Sequence, residues 1–119
     1  LRRIGASVTV AVKGKPILND ATMEDAKTAG MHEIADQVIS TGADSVGLIP
    51  SECSEEFLAL YNSADMVIAK GMGYAETLTE LDLRSPHALL LRTKCNPVAN
   101  FFKVSRGKNV AKLSVGKWK

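Results

Sequence analysis

The sequence predicts an α/β protein with an open, mostly parallel sheet and helices on both faces, which is a Rossmann-like three-layer arrangement. Short apolar runs rich in β-branched residues alternate along the chain with segments of helical period. The apolar runs are continuous, and strands of that kind are typical of a parallel sheet covered on both faces. The 119 residues suit a single domain.

Each predicted element has a local reason. Five runs bounded by Gly, Pro or polar residues are predicted as strands: 8–12, 45–49, 66–69, 87–92 and 109–115. Five segments of helical character are predicted as helices: about 23–30, 31–40, 54–62, 74–83 and one that begins at 97. Thr22 and Asp25 have the spacing of a capping box, and Gly30 should separate the first two helices. Asn96 should cap the last helix, with Pro97 at its first position.

Composition excludes several function classes. The net charge of +2 and the aromatic content of 5% argue against a nucleic-acid partner. No apolar run approaches the roughly 20 residues of a membrane span. The only cysteines, Cys53 and Cys95, occur without a secretory signal, so we expect reduced thiols and a cytoplasmic location. Trp118 is expected to pack or to lie in a tail.

An acidic turn follows the first predicted strand. Its central residues are Asn19 and Asp20, and hard cations such as Mg²⁺ bind carboxylate and amide oxygens. Asp20 could therefore supply a metal ligand. The alternative is that these side chains only cap the next helix, which Asn, Asp and Thr do well.

A glycine-rich turn follows the third predicted strand and contains Lys70, Gly71 and Gly73. Backbone amides at a helix start, together with a lysine, suit a phosphate group. A tight turn that requires positive φ explains the same glycines equally well.

Two cations, Arg92 and Lys94, lie at the end of the fourth predicted strand and just after it. In an open parallel sheet the carboxyl ends of the strands share one edge, where ligands bind. We therefore expect Asp20 to face Lys94 at that edge, beside the glycine-rich turn. Charges that are merely solvated at a strand end are the alternative.

Taken together, the three turns resemble those of the metal-dependent damage-control phosphatases, the family also called domain of unknown function 89, and most closely its archaeal-type members. The similar stretches are 10–26, 65–78 and 89–98. Tyr74 stands where many members of that family carry Asn.

The resemblance implies roles for the residues of these turns. Asp20 would ligate a divalent metal ion (Mg, Mn, Co or Ni) and act in catalysis, and Lys94 would hold the substrate phosphate. Further substrate contacts would come from the remaining polar and glycine positions: Asn19, Lys70, Gly71, Gly73 and Arg92. The family's Asp-Asn metal pair would precede Leu1, so we expect this chain to be the C-terminal part of a larger enzyme with an incomplete metal site.

Two functions follow from this reasoning. The first is the catalytic lobe of a metal-dependent phosphatase that hydrolyses small phosphorylated metabolites. The second is a non-catalytic α/β module that binds a phosphate ligand or a partner. Residues upstream of Leu1 would discriminate between them, since a strand ending in Asp-Asn would support the enzyme.

Overall fold

The computed structural model describes residues 1–117, and Trp118, with the role expected for it, lies outside them. Contacts along the chain cluster into two compact units. The first comprises Leu1–Ser45 and Pro50–Ala59, and the second comprises Val46–Ile49 and the residues from Leu60 onward. Within the described residues no helix has the length and apolar character needed to cross a membrane.

The first unit is built on two parallel strands. β1 (Thr9–Val12) pairs with β2 (Gln37–Ser40) along their whole length. Two short helices, α1 (Met23–Thr28) and α2 (Met31–Ile34), lie between them in the chain. α3 (Glu55–Ser63) begins in the first unit and ends in the second.

The capping box and the helix break are confirmed. The Asp25 carboxylate accepts hydrogen bonds from the Thr22 N–H at 2.8 Å and from the Thr22 hydroxyl at 2.9 Å. Gly30 separates α1 from α2 in a left-handed conformation, with φ 69°. Both features therefore follow from local sequence chemistry.

The second unit contains a three-stranded sheet in the order β3 (Val67–Lys70), β4 (Leu83–Arg92) and β5 (Asn109–Gly116). β3 and β4 are parallel, whereas β5 is antiparallel to β4. α4 (Met72–Leu78) packs on β4, in which Leu89 is fully buried, and α5 (Asn96–Phe101) follows β4.

The opposite face of this second sheet carries exposed apolar side chains. Ile68, Leu90 and Leu113 are 46%, 37% and 61% exposed. The strand register pairs Ile68 with Ala88 and Ala88 with Leu113, so Ile68 and Leu113 lie on the same face of the sheet. The mixed α/β class with parallel strands is confirmed, and in this unit α4 covers the Leu89 face of the sheet.

Two predicted elements are wrong. Residues 31–40 form α2 and then β2 rather than one helix, because Val38 and Ile39 pair with β1. Residues 45–49, predicted as a strand, form a loop, since Gly47 has φ 73° and the Leu48 N–H donates to the Thr77 hydroxyl at 2.9 Å. The strands of the described residues, β1 to β5, form two hydrogen-bonded sheets, one in each unit. The sequence predicted a single sheet.

Other boundaries differ by a few residues. α4 begins at Met72, before the predicted start, and β4 is longer than predicted. In α5 the N-cap is Cys95 rather than Asn96, with Pro97 still in the first turn. α3, β3 and β5 occupy the segments predicted for them within one or two residues.

Candidate functional site

The carboxyl edge of the second sheet positions the glycine-rich turn. Lys70, the last residue of β3, pairs with Leu90 of β4. The N–H of Gly71 then donates to the carbonyl of Leu90 at 2.8 Å, so the turn starts directly beside the neighbouring strand. α4 begins one residue later, at Met72.

Lys94 lies against the same turn. Its backbone N–H donates to Sδ of Met72 at 3.4 Å, and its side chain is exposed. Arg92 lies two residues after Leu90 on the strand and so on the same face as Lys70, and both cations are exposed. The structure thus brings Lys70, the glycine turn, Arg92 and the Lys94 backbone to one edge.

The glycines of this turn also have structural explanations. Gly71 adopts φ 132°, a backbone conformation that residues other than glycine rarely adopt. A Cβ on Gly73 would lie 2.8 Å from Cγ1 of Val46. Glycine is therefore required at both positions for the fold itself, and the phosphate interpretation rests on Lys70 and Lys94 as well.

A residue that the sequence did not single out, Thr93, fixes the position of Lys94. Thr93 is fully buried, and its hydroxyl donates to the carbonyl of Ser105 at 3.0 Å and accepts from the N–H of Lys108 at 3.1 Å. Its backbone N–H and C=O bond to Lys108 and Gly107. The signal was a small β-branched polar residue between two cations at the end of an apolar strand.

The acidic turn belongs to the first unit. Thr22 and Asp25 cap α1, so Asp20 and the exposed Asn19 lie outside the helix cap. Oδ2 of Asp20 lies 3.9 Å from Nζ of Lys13, a residue that the sequence reasoning also missed. The signal for Lys13 was a lysine that directly follows Val12, the one buried residue of β1.

Lys13 is a buried cation. Its side chain is 4% exposed, and Nζ donates to the carbonyl of Ser45 at 2.7 Å. Burial lowers the pKa of Lys13 from its ordinary value, against the opposing effects of Asp20 and Cys53. Burial likewise raises the pKa of the Cys53 thiol, while Lys13 acts in the opposite direction. The unit therefore holds a desolvated charge beside the acidic turn.

These residues do not by themselves fit a resident metal ion. Among residues 1–117 no three His, Cys, Asp or Glu side chains form a group that could hold one. Asp20, the ligand predicted from the sequence, has the ammonium group of Lys13 3.9 Å from its Oδ2. The predicted metal site is thus represented here by one carboxylate.

The predicted site residues fall into two sets. Lys70, Gly71, Gly73, Arg92 and Lys94 lie together in the second unit. Asn19 and Asp20 lie in the first unit, with Lys13. The expected pairing of Asp20 with Lys94 stays a prediction.

Comparison with known proteins gives one family. The family model described as "Damage-control phosphatase ARMT1-like domain" matches residues 1–110. An uncharacterised protein of Methanocaldococcus jannaschii is 51% identical over 112 residues, which are 92% of this chain and 36% of that protein. A damage-control phosphatase of Archaeoglobus fulgidus is 39% identical over 113 residues, which are 95% of this chain and 39% of that one.

A solved structure shares the fold. The crystal structure of a DUF89 family protein from Pyrococcus horikoshii superposes with a TM-score of 0.83 at 46% identity. The match covers 92% of this chain and 38% of that chain. The chain therefore spans less than two fifths of the length of each of these relatives.

Proposed function

This chain belongs to the damage-control phosphatase ARMT1-like domain family, and from that premise we propose that it serves the hydrolysis of small phosphorylated metabolites. The observation that carries the proposal is the edge of the second sheet, where Lys94 and the glycine-rich turn lie against each other. Its exposed cations offer charge to a small anion rather than to an extended polymer.

We propose a role for each of the candidate residues at this edge of the second sheet. Lys94 neutralises charge on the substrate phosphate, because a compact ammonium is a good point-charge partner for an anion. Arg92 and Lys70 supply further positive charge, and Gly71 and Gly73 allow close approach of the substrate to the backbone. Thr93 is a positioning residue, since it ties the Lys94 segment to residues 105–108.

Metal dependence is part of the proposal only through Asp20, as the resemblance implies. A divalent ion bound by such a phosphatase acts as a Lewis acid and activates water. The described residues do not complete the site of such an ion.

A second candidate function is a phosphate-binding module without hydrolysis. The observations that favour it are the ion pair of Asp20 with Lys13 and the lack of any group of three candidate metal ligands among residues 1–117. Both candidates require phosphate at the Lys94 edge, and only the first requires turnover.

Phosphate binding at Lys94 is the first test. A charge-assisted hydrogen bond contributes about 1.5–3 kcal/mol, which is about ten- to a hundredfold in affinity. Lys94→Ala should weaken binding of inorganic phosphate by that factor, measured by NMR titration of the amides of the glycine turn. Lys94→Arg should restore it only in part, because a planar fork replaces a point charge.

The control is Lys117→Ala, which removes the same charge at the other end of the sheet, next to the end of β5 that pairs with Leu83. That variant should bind phosphate like the wild type. Thermal melts should be unchanged for Lys94→Ala, since its side chain is exposed. Equal phosphate affinity in Lys94→Ala and the wild type would show that Lys94 does not bind the phosphate.

A further inference from the structure

The charge of Lys13 is built into the first unit rather than attached to its surface. Its Nζ is held by the carbonyl of Ser45 at 2.7 Å and faces Oδ2 of Asp20 at 3.9 Å. A charge on a side chain that is only 4% exposed is costly unless a counter-charge or polar partner accompanies it. Asp20 provides the counter-charge, with 37% of its own side chain exposed.

The backbone prevents either partner from moving away easily. The N–H of Lys13 donates to the carbonyl of Ala21 at 2.9 Å, and Lys13 forms a parallel bridge with Thr22. The N–H of Asp20 donates to the carbonyl of Ile17 at 3.0 Å, which closes the turn. The lysine and the acidic turn are therefore fastened to each other at both backbone and side-chain level.

We propose that Lys13 is the built-in counter-ion of Asp20 and that its ammonium competes with divalent cations for the Asp20 carboxylate. This proposal rests on the proposed function only in taking the Asp20 carboxylate as a group that can bind a metal ion. It holds or fails without any measurement of hydrolysis.

The sign of the effect follows from electrostatics. An ammonium beside a carboxylate reduces the negative potential that a second cation would meet there. For a divalent ion a few ångströms further away, Coulomb's law gives about a tenfold effect on affinity even at the dielectric constant of water. A lysine that only supported the turn would have the opposite effect, since its removal would disorder Asp20 and weaken cation binding.

The test is a titration of the ¹⁵N-labelled 119-residue chain with MnCl₂, followed by paramagnetic broadening of the amides of residues 18–22. Lys13→Gln removes the charge and keeps a group that can donate to the Ser45 carbonyl. We expect half-maximal broadening at about tenfold lower Mn²⁺ than in the wild type. Lys13→Arg, which keeps the charge, should respond like the wild type.

Two controls locate the effect. Asp20→Asn combined with Lys13→Gln should lose the gain, because the carboxylate is gone. Lys15→Gln removes an exposed positive charge of the same loop and should shift the titration much less.

Several results would overturn the inference. Unchanged or weaker Mn²⁺ binding in Lys13→Gln would do so, and so would a gain that survives in the double variant. If Lys13→Gln does not fold, as judged from its amide spectrum, Lys13→Met replaces it in the same titration. If neither folds, Lys13→Arg decides, since a tenfold change there contradicts a role based on charge.

Discussion

Two lysines at strand ends, Lys13 and Lys94, differ in burial, and burial decides what each can contribute. Lys13 is 4% exposed and has a carboxylate 3.9 Å away, so its charge is already balanced inside the unit. Lys94 is exposed, and its backbone N–H donates to Sδ of Met72, so its ammonium can meet a ligand from solution. The lysine at one strand end is therefore part of the structure of its unit. In our proposal, the lysine at the other strand end binds the substrate.

At the same scale, the capping carboxylate of Asp25 predicts a dependence of stability on pH. Hydrogen bonds from the Thr22 backbone and hydroxyl lower the pKa of Asp25 below its ordinary value of 3.8. A carboxyl whose pKa is lower in the folded state stabilises that state above its unfolded pKa, and this contribution is lost as the pH falls through the folded pKa. Asp25→Asn should therefore be less stable than the wild type at pH 7, and the difference should shrink towards zero near pH 2.

Urea denaturation of both proteins across that pH range is the measurement. Asp44→Asn is the control, because it removes an exposed carboxylate that belongs to no helix cap. A difference between wild type and Asp25→Asn that stays constant down to pH 2 would show that the cap does not depend on the ionised carboxylate.

At the scale of elements, local chemistry predicted those elements whose signals lie within a few residues. The Thr22–Asp25 cap, the break at Gly30 and the apolar run of β3 are of this kind. Segment 31–40 was misread because the spacing of Ile34, Ala35 and Val38 also fits a short helix. Pairing with β1 decides the outcome, and that partner is 28 residues away in the chain.

The sequence predicted only part of the candidate site, because strand order can be predicted from the sequence pattern and the paths of loops cannot. Lys70, Gly71 and Lys94 share an edge because parallel strands align their carboxyl ends, which a strand order alone can predict. The hydrogen bonds of Thr93 with Ser105 and Lys108, and the contact of Lys13 with Asp20, depend on loops whose paths the sequence pattern does not encode.

The loop at 45–49 gives a second prediction at this scale. Gly47 has φ 73°, and a Cβ there would lie 2.5 Å from the carbonyl oxygen of Gly73 and against the Thr77 side chain. Left-handed backbone costs alanine about 1–2 kcal/mol, and overpacking adds about 1–3 kcal/mol. Gly47→Ala should therefore lower the free energy of unfolding by about 2–5 kcal/mol in urea denaturation.

Gly107→Ala is the matched control for this variant. Gly107 also has positive φ, at 86°, but a Cβ there would meet nothing within 4 Å. It should lose only the backbone contribution of about 1–2 kcal/mol. Equal losses in the two variants would show that the close approach of Gly47 to α4 contributes nothing to stability.

At the scale of the whole molecule, family membership and local chemistry support different parts of the function. The family model covers residues 1–110, and the relatives named above are about two and a half times as long as the segment they share with this chain. The described residues offer cations for a phosphate group in the second unit and one charge-paired carboxylate in the first. The phosphate site that we propose is therefore better represented in this chain than the proposed metal site.

That imbalance leads to a prediction for the purified 119-residue chain. A bound metal ion contributes several kcal/mol of transition-state stabilisation, and each 1.4 kcal/mol is a factor of ten in rate. With Asp20 paired to Lys13 and no group of three candidate ligands among residues 1–117, the chain should hold catalytic metal poorly. We expect its Mn²⁺-dependent hydrolysis of sugar phosphates to be at least about a hundredfold slower than that of the Archaeoglobus fulgidus damage-control phosphatase under the same conditions. Phosphate binding at Lys94, measured on the same preparation, distinguishes a folded chain that lacks turnover from an unfolded one. Hydrolysis at a rate comparable with that of the Archaeoglobus protein, abolished by chelator and by Asp20→Asn, would show that this chain assembles a working metal site.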